Sequence, residues 1–178
     1  LYTVTVTDNQ TQEVTMCQYT IMEPMALSCL VEGTELLDCN GDMDGSVQAL
    51  PEGGTMPYSY QWKGGPATAT WNNLCAGTYE LTITDDNNCT TKCEYSIAEP
   101  DPLVVEIRFV DCRAGADGRE LPIFEAVVTG GTAEYTINWD NGAVGPLAAH
   151  FANLGTAGVT VVDANGCMAS NTYDFDQF

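Results

Sequence analysis

The chain has 178 residues, with five Lys and Arg against twenty-five Asp and Glu, a formal net charge of −20 and a pI near 4.1. A surface that negative repels nucleic acid and anionic lipid headgroups, and no apolar run approaches the ~18 residues of a membrane span, so neither partner nor membrane insertion is expected. Acidity of this degree often accompanies disorder, but 44% of the residues are apolar and eight are tyrosine, enough for a core in one or two domains.

The chain opens at Leu1 inside a strand-like alternation and reads as a mature, exported piece of something longer. Val4 and Val6 alternate with Thr3, Thr5 and Thr7, the period of a half-buried strand, and a second strand over Val14 to Ile21 follows a turn. Glu23-Pro24 closes that stretch. An Asp- and Asn-rich turn over Asp38 to Gly45 comes next, then strands punctuated by Gly53-Gly54 and Gly64-Gly65-Pro66. Leu81 and Ile83 alternate with Thr82 and Thr84, and Asp85-Asp86-Asn87-Asn88 is a hairpin turn, because Asn tolerates the positive φ that tight turns need. After Glu99-Pro100-Asp101-Pro102 the same order returns, with Gly130-Gly131, Asn141-Gly142 and Asp163-Ala164-Asn165-Gly166 as turns. Only Ala143 to Leu154 argues for helix, and Gly145-Pro146 in its first turns weakens that reading. About seven short strands with a buried Trp near the middle, Trp62 or Trp139, predict an all-β protein of tandem immunoglobulin-like sandwiches.

Self-comparison makes the repetition explicit. Tyr2 to Asp8 recurs as Tyr79 to Asp85 and again as Ala157 to Asp163, at offsets of 77 and 78 residues. Cys17-Gln18-Tyr19-Thr20-Ile21-Met22-Glu23-Pro24 matches Cys93-Glu94-Tyr95-Ser96-Ile97-Ala98-Glu99-Pro100. Gly53-Gly54-Thr55, Tyr58 and Trp62 align with Gly130-Gly131-Thr132, Tyr135 and Trp139, and Asp44-Gly45 with Asp117-Gly118. The division that follows is a final hairpin of an incomplete repeat over 1–24, then immunoglobulin-like repeats over 25–100 and 101–178, joined by short extended Glu-Pro segments. Eight cysteines without a CxxC pair, and a single His150 with no cysteine near it, lack zinc-site spacing and point to disulfides in an oxidising compartment.

The order Cys-x-Gly-x-x-Asp-Gly, strand, Gly-Gly-Thr-x-x-Tyr-x-x-x-Trp, Leu-x-x-Gly-Thr-Tyr, strand, Asp-x-Asn-Gly-Cys resembles the SprB repeat of long Bacteroidetes surface adhesins, a gliding-motility adhesin among them. Here the pieces are Cys39 to Gly45, Gly53 to Trp62, Leu74 to Tyr79 and Asp85 to Cys89, then Cys112 to Gly118, Gly130 to Trp139 and Asp163 to Cys167. The departures are Ala157 at the place of Tyr79, Glu134 at that of Pro57, Arg113 at that of Asn40, and the additional Cys17, Cys29, Cys75 and Cys93. The resemblance implies an immunoglobulin-like, PKD-like sandwich, a cell-surface location, export through the type IX system, and a structural or adhesive role in a fibre.

No enzyme is expected. His150 has no serine or thiol that the sequence pairs with it, carboxylate proximity means little among twenty-five, and no Gly-Gly pair is followed by the Lys-Ser/Thr of a phosphate loop. No resident cofactor is expected either. Calcium is the candidate ion, because Asp38, Asn40, Asp42 and Asp44 place oxygens on alternate residues before Gly45, although the same residues suit a plain turn; the second copy keeps Asp111 and Asp117 without the intermediate oxygens. Parsimony pairs the repeated cysteines within each unit, Cys39 with Cys89 and Cys112 with Cys167. Sandwich topology, which sends those turns to opposite ends, leaves bonds between neighbouring units as the alternative. The partners expected are neighbouring repeats or subunits of the same protein in a fibre. A second reading is a glycan- or protein-binding accessory domain displaying Tyr58, Tyr60, Tyr95 and Trp71. Residues 1–24 expose Val4, Val6 and Ile21 unless strands from upstream or from another subunit cover them, or the hairpin docks on the unit that follows.

Overall fold

A computed structural model describes residues 1–114, 118, 120–149 and 155–174. Asp117, His150 and residues 150–154 of the helix candidate lie outside the described residues. The described residues form strands and turns with no helix. In chain order the strands are β1 (Tyr2–Thr7), β2 (Val14–Tyr19), β3 (Ser28–Gly33), β4 (Gly45–Glu52), β5 (Ser59–Trp62), β6 (Thr70–Leu74), β7 (Gly77–Thr84), β8 (Thr90–Ile97), β9 (Val104–Ala114), β10 (Glu120–Thr129), β11 (Thr136–Trp139), β12 (Leu147–Ala149), β13 (Thr156–Val162) and β14 (Met168–Asp174). The described part of the helix candidate holds β12 and a bridge from Val144 to Asn138, as Gly145-Pro146 foreshadowed.

Two cores form between pairs of three-stranded antiparallel sheets. The sheet β3-β4-β6 faces β5-β7-β8, and the sheet β12-β10-β9 faces β11-β13-β14. Alternation sends Val47, Ala49, Trp62, Leu74, Leu81, Ile83 and Ile97 into the first core. Phe124, Ala126, Ile137, Trp139, Val159 and Val161 fill the second. Trp62 has no exposed surface, and its indole N–H donates to the Thr68 carbonyl at 3.0 Å; Trp139 repeats this with Gly145 at 3.0 Å. This order is that of an immunoglobulin-like sandwich without the strand between β5 and β6, so the count is six strands per core among the described residues rather than the seven expected. The segment where a seventh would lie is taken by the turns around Gly64-Gly65-Pro66, with Gly65 packed against the Trp71 ring.

The two copies differ at their first strands. β3 ends at Gly33, whose carbonyl accepts from the Tyr95 hydroxyl at 2.9 Å, and the chain then crosses to β8 through a parallel bridge from Leu36 to Ala98. Beyond the crossing, residues 38–44 are free to form a loop. In the second copy β9 stays paired with β10 as far as Ala114, with an irregularity between Ile123 and Phe124, so Cys112 lies in a strand opposite Pro122.

The hairpin β1–β2 has the register of β7–β8 and β13–β14. Val4 faces Cys17 as Leu81 faces Cys93 and as Val159 faces Asn171. Its face is open, however: Val4 and Val6 are each 58% exposed where Leu81 is 1% and Ile83 0%. Tyr58, Tyr60, Tyr95 and Trp71, the aromatic residues of the display reading, all pack against the first core instead, as alternation along β5 requires of Tyr60 beside Trp62.

Candidate functional site: the junction between the two sandwiches

Both copies build the same turn on a buried aspartate. Asp85 Oδ1 accepts from the backbone N–H groups of Asn87 (3.0 Å) and Cys89 (2.8 Å), and Oδ2 accepts from Thr55 N–H at 2.9 Å. Asp163 does the same with Asn165 (2.9 Å), Cys167 (2.9 Å) and Thr132 (2.8 Å). At Asp85 burial pushes the carboxyl up, but the N–H groups of Thr55, Cys89 and Asn87 outweigh it and hold the pKa below 3.8. At Asp163 the Thr132 N–H is the largest influence, ahead of the burial that opposes it, and the pKa is again lowered. Asp8 keeps the local half of this arrangement, accepting from Gln10 N–H (2.7 Å) and Thr11 N–H (3.2 Å).

This turn explains the Gly-Gly-Thr motif. Gly53 and Gly130 both have φ +69°, and a Cβ there would strike the carbonyl oxygens of Ala26 and Pro102, respectively. A Cβ on Gly54 or Gly131 would press on the carboxylate oxygen of Asp85 or Asp163. The Tyr58 hydroxyl donates to Gly53 O at 2.6 Å, and Tyr135 to Gly130 O at 2.8 Å, fixing the same corner. In this way Gly-Gly-Thr, Tyr and Asp-x-Asn lock the β7–β8 and β13–β14 turns to the entry end of each sandwich. The loop 38–44 sits at the opposite, exit end: Gly41 N–H donates to Glu99 Oε2 at 2.7 Å and Asn40 Nδ2 to Pro100 O at 3.0 Å.

The exit end of the first sandwich thereby meets the entry end of the second, and Cys39 is bonded to Cys167 across the joint. Asn165 Nδ2 bridges the same joint, donating to Asp38 O at 2.9 Å while also reaching Thr132 Oγ1 at 3.2 Å. This corrects the within-unit pairing. Cys39 and Cys89 lie at opposite ends of one sandwich, and Cys112 is held in β9, so Cys39–Cys89 and Cys112–Cys167 are not formed; Cys89 and Cys112, like Cys17 and Cys75, are exposed thiols. A second bond, Cys29–Cys93, ties β3 to β8, the edge strands of the two sheets around the first core. Register places Asn171 where Cys93 stands, and there its side-chain amide donates to Val105 O at 2.9 Å, a hydrogen bond in place of a disulfide. The signal for this was present in the sequence, since Cys29 and Cys93 lack counterparts in the second copy as a pair.

The calcium candidates take part in the same loop. Asp44 Oδ2 accepts from Asp38 N–H at 3.4 Å, Asn40 is committed to Pro100 O, and Asp42 N–H donates to Cys39 O at 3.3 Å. Among the described residues no three acidic, histidine or cysteine side chains gather as a metal site.

This geometry gathers loop, glycines, Tyr and Trp into one stretch of chain, and that stretch is what sequence comparison finds. Residues 37–67 match the family model of the SprB repeat. The matched stretch covers the junction loop, β4, the Gly-Gly-Thr corner and the buried Trp62. No curated protein sequence matches the chain. Among solved structures, the chain is similar to the C-terminal 282-residue fragment of intimin in complex with the translocated intimin receptor's intimin-binding domain, at 11% identity and a TM-score of 0.38, over 83% of this chain and 62% of that one. It is also similar to a Dscam structure described as the basis of isoform specificity, at 14% identity and a TM-score of 0.33, over 96% and 52%. The chain therefore spans roughly half to three-fifths of those structures' length, and the fold assignment rests on the sheets themselves.

Proposed function

We propose that this chain is a structural and adhesive segment of a long extracellular surface fibre, in which residues 25–100 and 101–178 are consecutive repeats and residues 1–24 are the last hairpin of a preceding one. It works without catalysis, by supplying length and stiffness. The observation that carries the reading is the Cys39–Cys167 bond with its Asn165 bridge, a covalent clasp between the loop of one sandwich and an Asp-x-Asn-x-Cys turn that both sandwiches build. Stacked small units need only nearest-neighbour interfaces, which is the economy of a solenoid or rod. The SprB repeat and the oxidised cysteines support placement at the cell surface. The glycan-display alternative loses its aromatic residues to the core.

The test is antibody against the 178-residue chain on intact, unpermeabilised source cells, with electron microscopy of the full-length protein. Surface label and extended filaments are the expected result. Label that appears only after permeabilisation, or a compact particle with a catalytic domain, would reject the fibre reading.

A further inference from the structure

Cys89 is left exposed in a setting that the rest of the chain shows occupied. Around Cys167, Asn165 and Asp163 form a seat that receives the loop of the preceding sandwich, with one disulfide and one amide bond across the joint. Around Cys89 the same seat is built: Asp85 holds the turn through Asn87 and Cys89, and Asn87 Nδ2 donates to Thr55 Oγ1 at 2.8 Å, as Asn165 does to Thr132. An amide nitrogen carries two protons, and at Asn165 the second goes to Asp38 O. Asn87 and the Cys89 thiol are both exposed, and Thr55 Oγ1 takes only one of the two protons of the Asn87 amide.

The opposite half of the clasp is also present. At the existing joint the loop is strapped by Glu99 and Pro100, which follow β8 after Ala98. Glu23-Pro24 directly precedes the first sandwich and follows a hairpin of identical register. Strap and seat both flank the first sandwich, and a loop like that of residues 38–44 is what would join them.

We propose that Asn87 and Cys89 form the receiving half of a second junction, whose occupant is the Asp-Cys-Asn-Gly-Asp loop of a preceding repeat of the same kind, closed by a disulfide to Cys89. The proposal rests on the repeat-module reading and adds the partner and the bond. The chemistry is thiol–disulfide exchange with a small-molecule disulfide such as oxidised glutathione. The Cys89 thiolate attacks the loop sulfur held as a glutathione mixed disulfide, a protein S–S bond forms, and glutathione leaves as the thiolate and takes a proton. Over both exchanges two thiol protons and two electrons pass to oxidised glutathione.

The test uses the intact 178-residue chain, with its two disulfides formed and four thiols free, and a synthetic peptide of residues 36–44 of this sequence. The two are equilibrated in a glutathione buffer, acid-quenched and mapped by mass spectrometry. One added hydrogen bond predicts capture at Cys89 over each of Cys17, Cys75 and Cys112 by about fivefold or more. N87A abolishes that preference, and a scrambled peptide keeping its cysteine shows none. Equal labelling of the four thiols, or a preference unaffected by N87A and by scrambling, overturns the seat. Such a failure leaves the fibre reading standing, because that depends on the surface labelling of the native protein.

Discussion

Pulling the chain by its two ends tests the junction bond directly. Cys39–Cys167 closes a loop with a sequence separation of 128, and the Cys29–Cys93 loop, with a separation of 64, overlaps it. Under force the oxidised chain extends only along residues 1–39 and 167–178, because the bond short-circuits everything between. Full reduction restores the 128-residue path, about 440 Å at ~3.4 Å per residue. The variant C39S/C167S restores only half, about 220 Å, because Cys29–Cys93 still bypasses 64 residues. Single-molecule force spectroscopy with handles at both termini resolves such differences. If C39S/C167S extends no further than the oxidised wild type, the bond across the joint does not form. A gain near the full reduced length instead would show that Cys29–Cys93 is absent.

Removing the bond inside the first sandwich, C29A/C93A, is expected to cost about 4 kcal/mol, the chain-entropy value for a loop of 64 residues, whereas N171A in the second sandwich loses one hydrogen bond, about 1 kcal/mol. Denaturant titration should show the larger effect in the transition reported by Trp62 and Trp71. The pKa of Asp85 and Asp163 is held below 3.8 in the folded protein, so both contribute their full stabilisation above that value and lose it as pH falls through the lowered one. Melting temperatures between pH 5 and 2 should fall in the wild type and flatten in D85N/D163N; equal slopes would refute the role given to these carboxylates. Because Asp44 accepts from Asp38 N–H within the loop and the Asn40 side chain is tied to Pro100 O, millimolar calcium should raise the melting temperature by less than about 5 °C, and a rise of about 10 °C or more would make the loop a calcium site.

Much of the fold was legible because it is written in periodicity and punctuation. The alternation of Leu81 and Ile83 with Thr82 and Thr84, the paired glycines and the central tryptophans each specify a local conformation, and repetition at a fixed offset removes the ambiguity of any single stretch. The junction was less legible, because it depends on which ends meet. Cys39 and Cys89 recur together, so counting pairs them, yet Gly41 bonded to Glu99 and Thr55 bonded to Asp85 put them at opposite ends. Asp85 and Asp163 read as ordinary turn residues. Their burial follows from the backbone N–H of Thr55 and Thr132, thirty and thirty-one residues away, a partner that local pattern does not name. The missing seventh strand likewise follows from the turns around Gly64-Gly65-Pro66, which the glycines and proline allowed without dictating.

The joint also shows why a chain this acidic needs a covalent clasp. Its charged residues, Asp38, Asp42, Asp44, Glu99 and Asp101, are all negative, and they crowd two sandwiches of the same sign end to end. Among the described residues the lysine and arginine ion pairs lie elsewhere, Lys63 with Glu80 at 2.5 Å and Arg108 with Glu106 at 2.9 Å, exposed and each within its own sandwich. Exposed pairs of this kind contribute little to stability. With a Debye length of about 8 Å in physiological salt, Asp38, Asp42 and Asp44, crowded into one loop, repel one another incompletely screened. Two hydrogen bonds from Asn40 and Asn165 and the Glu99 contact with Gly41 align the ends, but each is exposed to competing water. The Cys39–Cys167 bond removes the choice between closed and open joint, so the like charges gathered there do not part the two sandwiches.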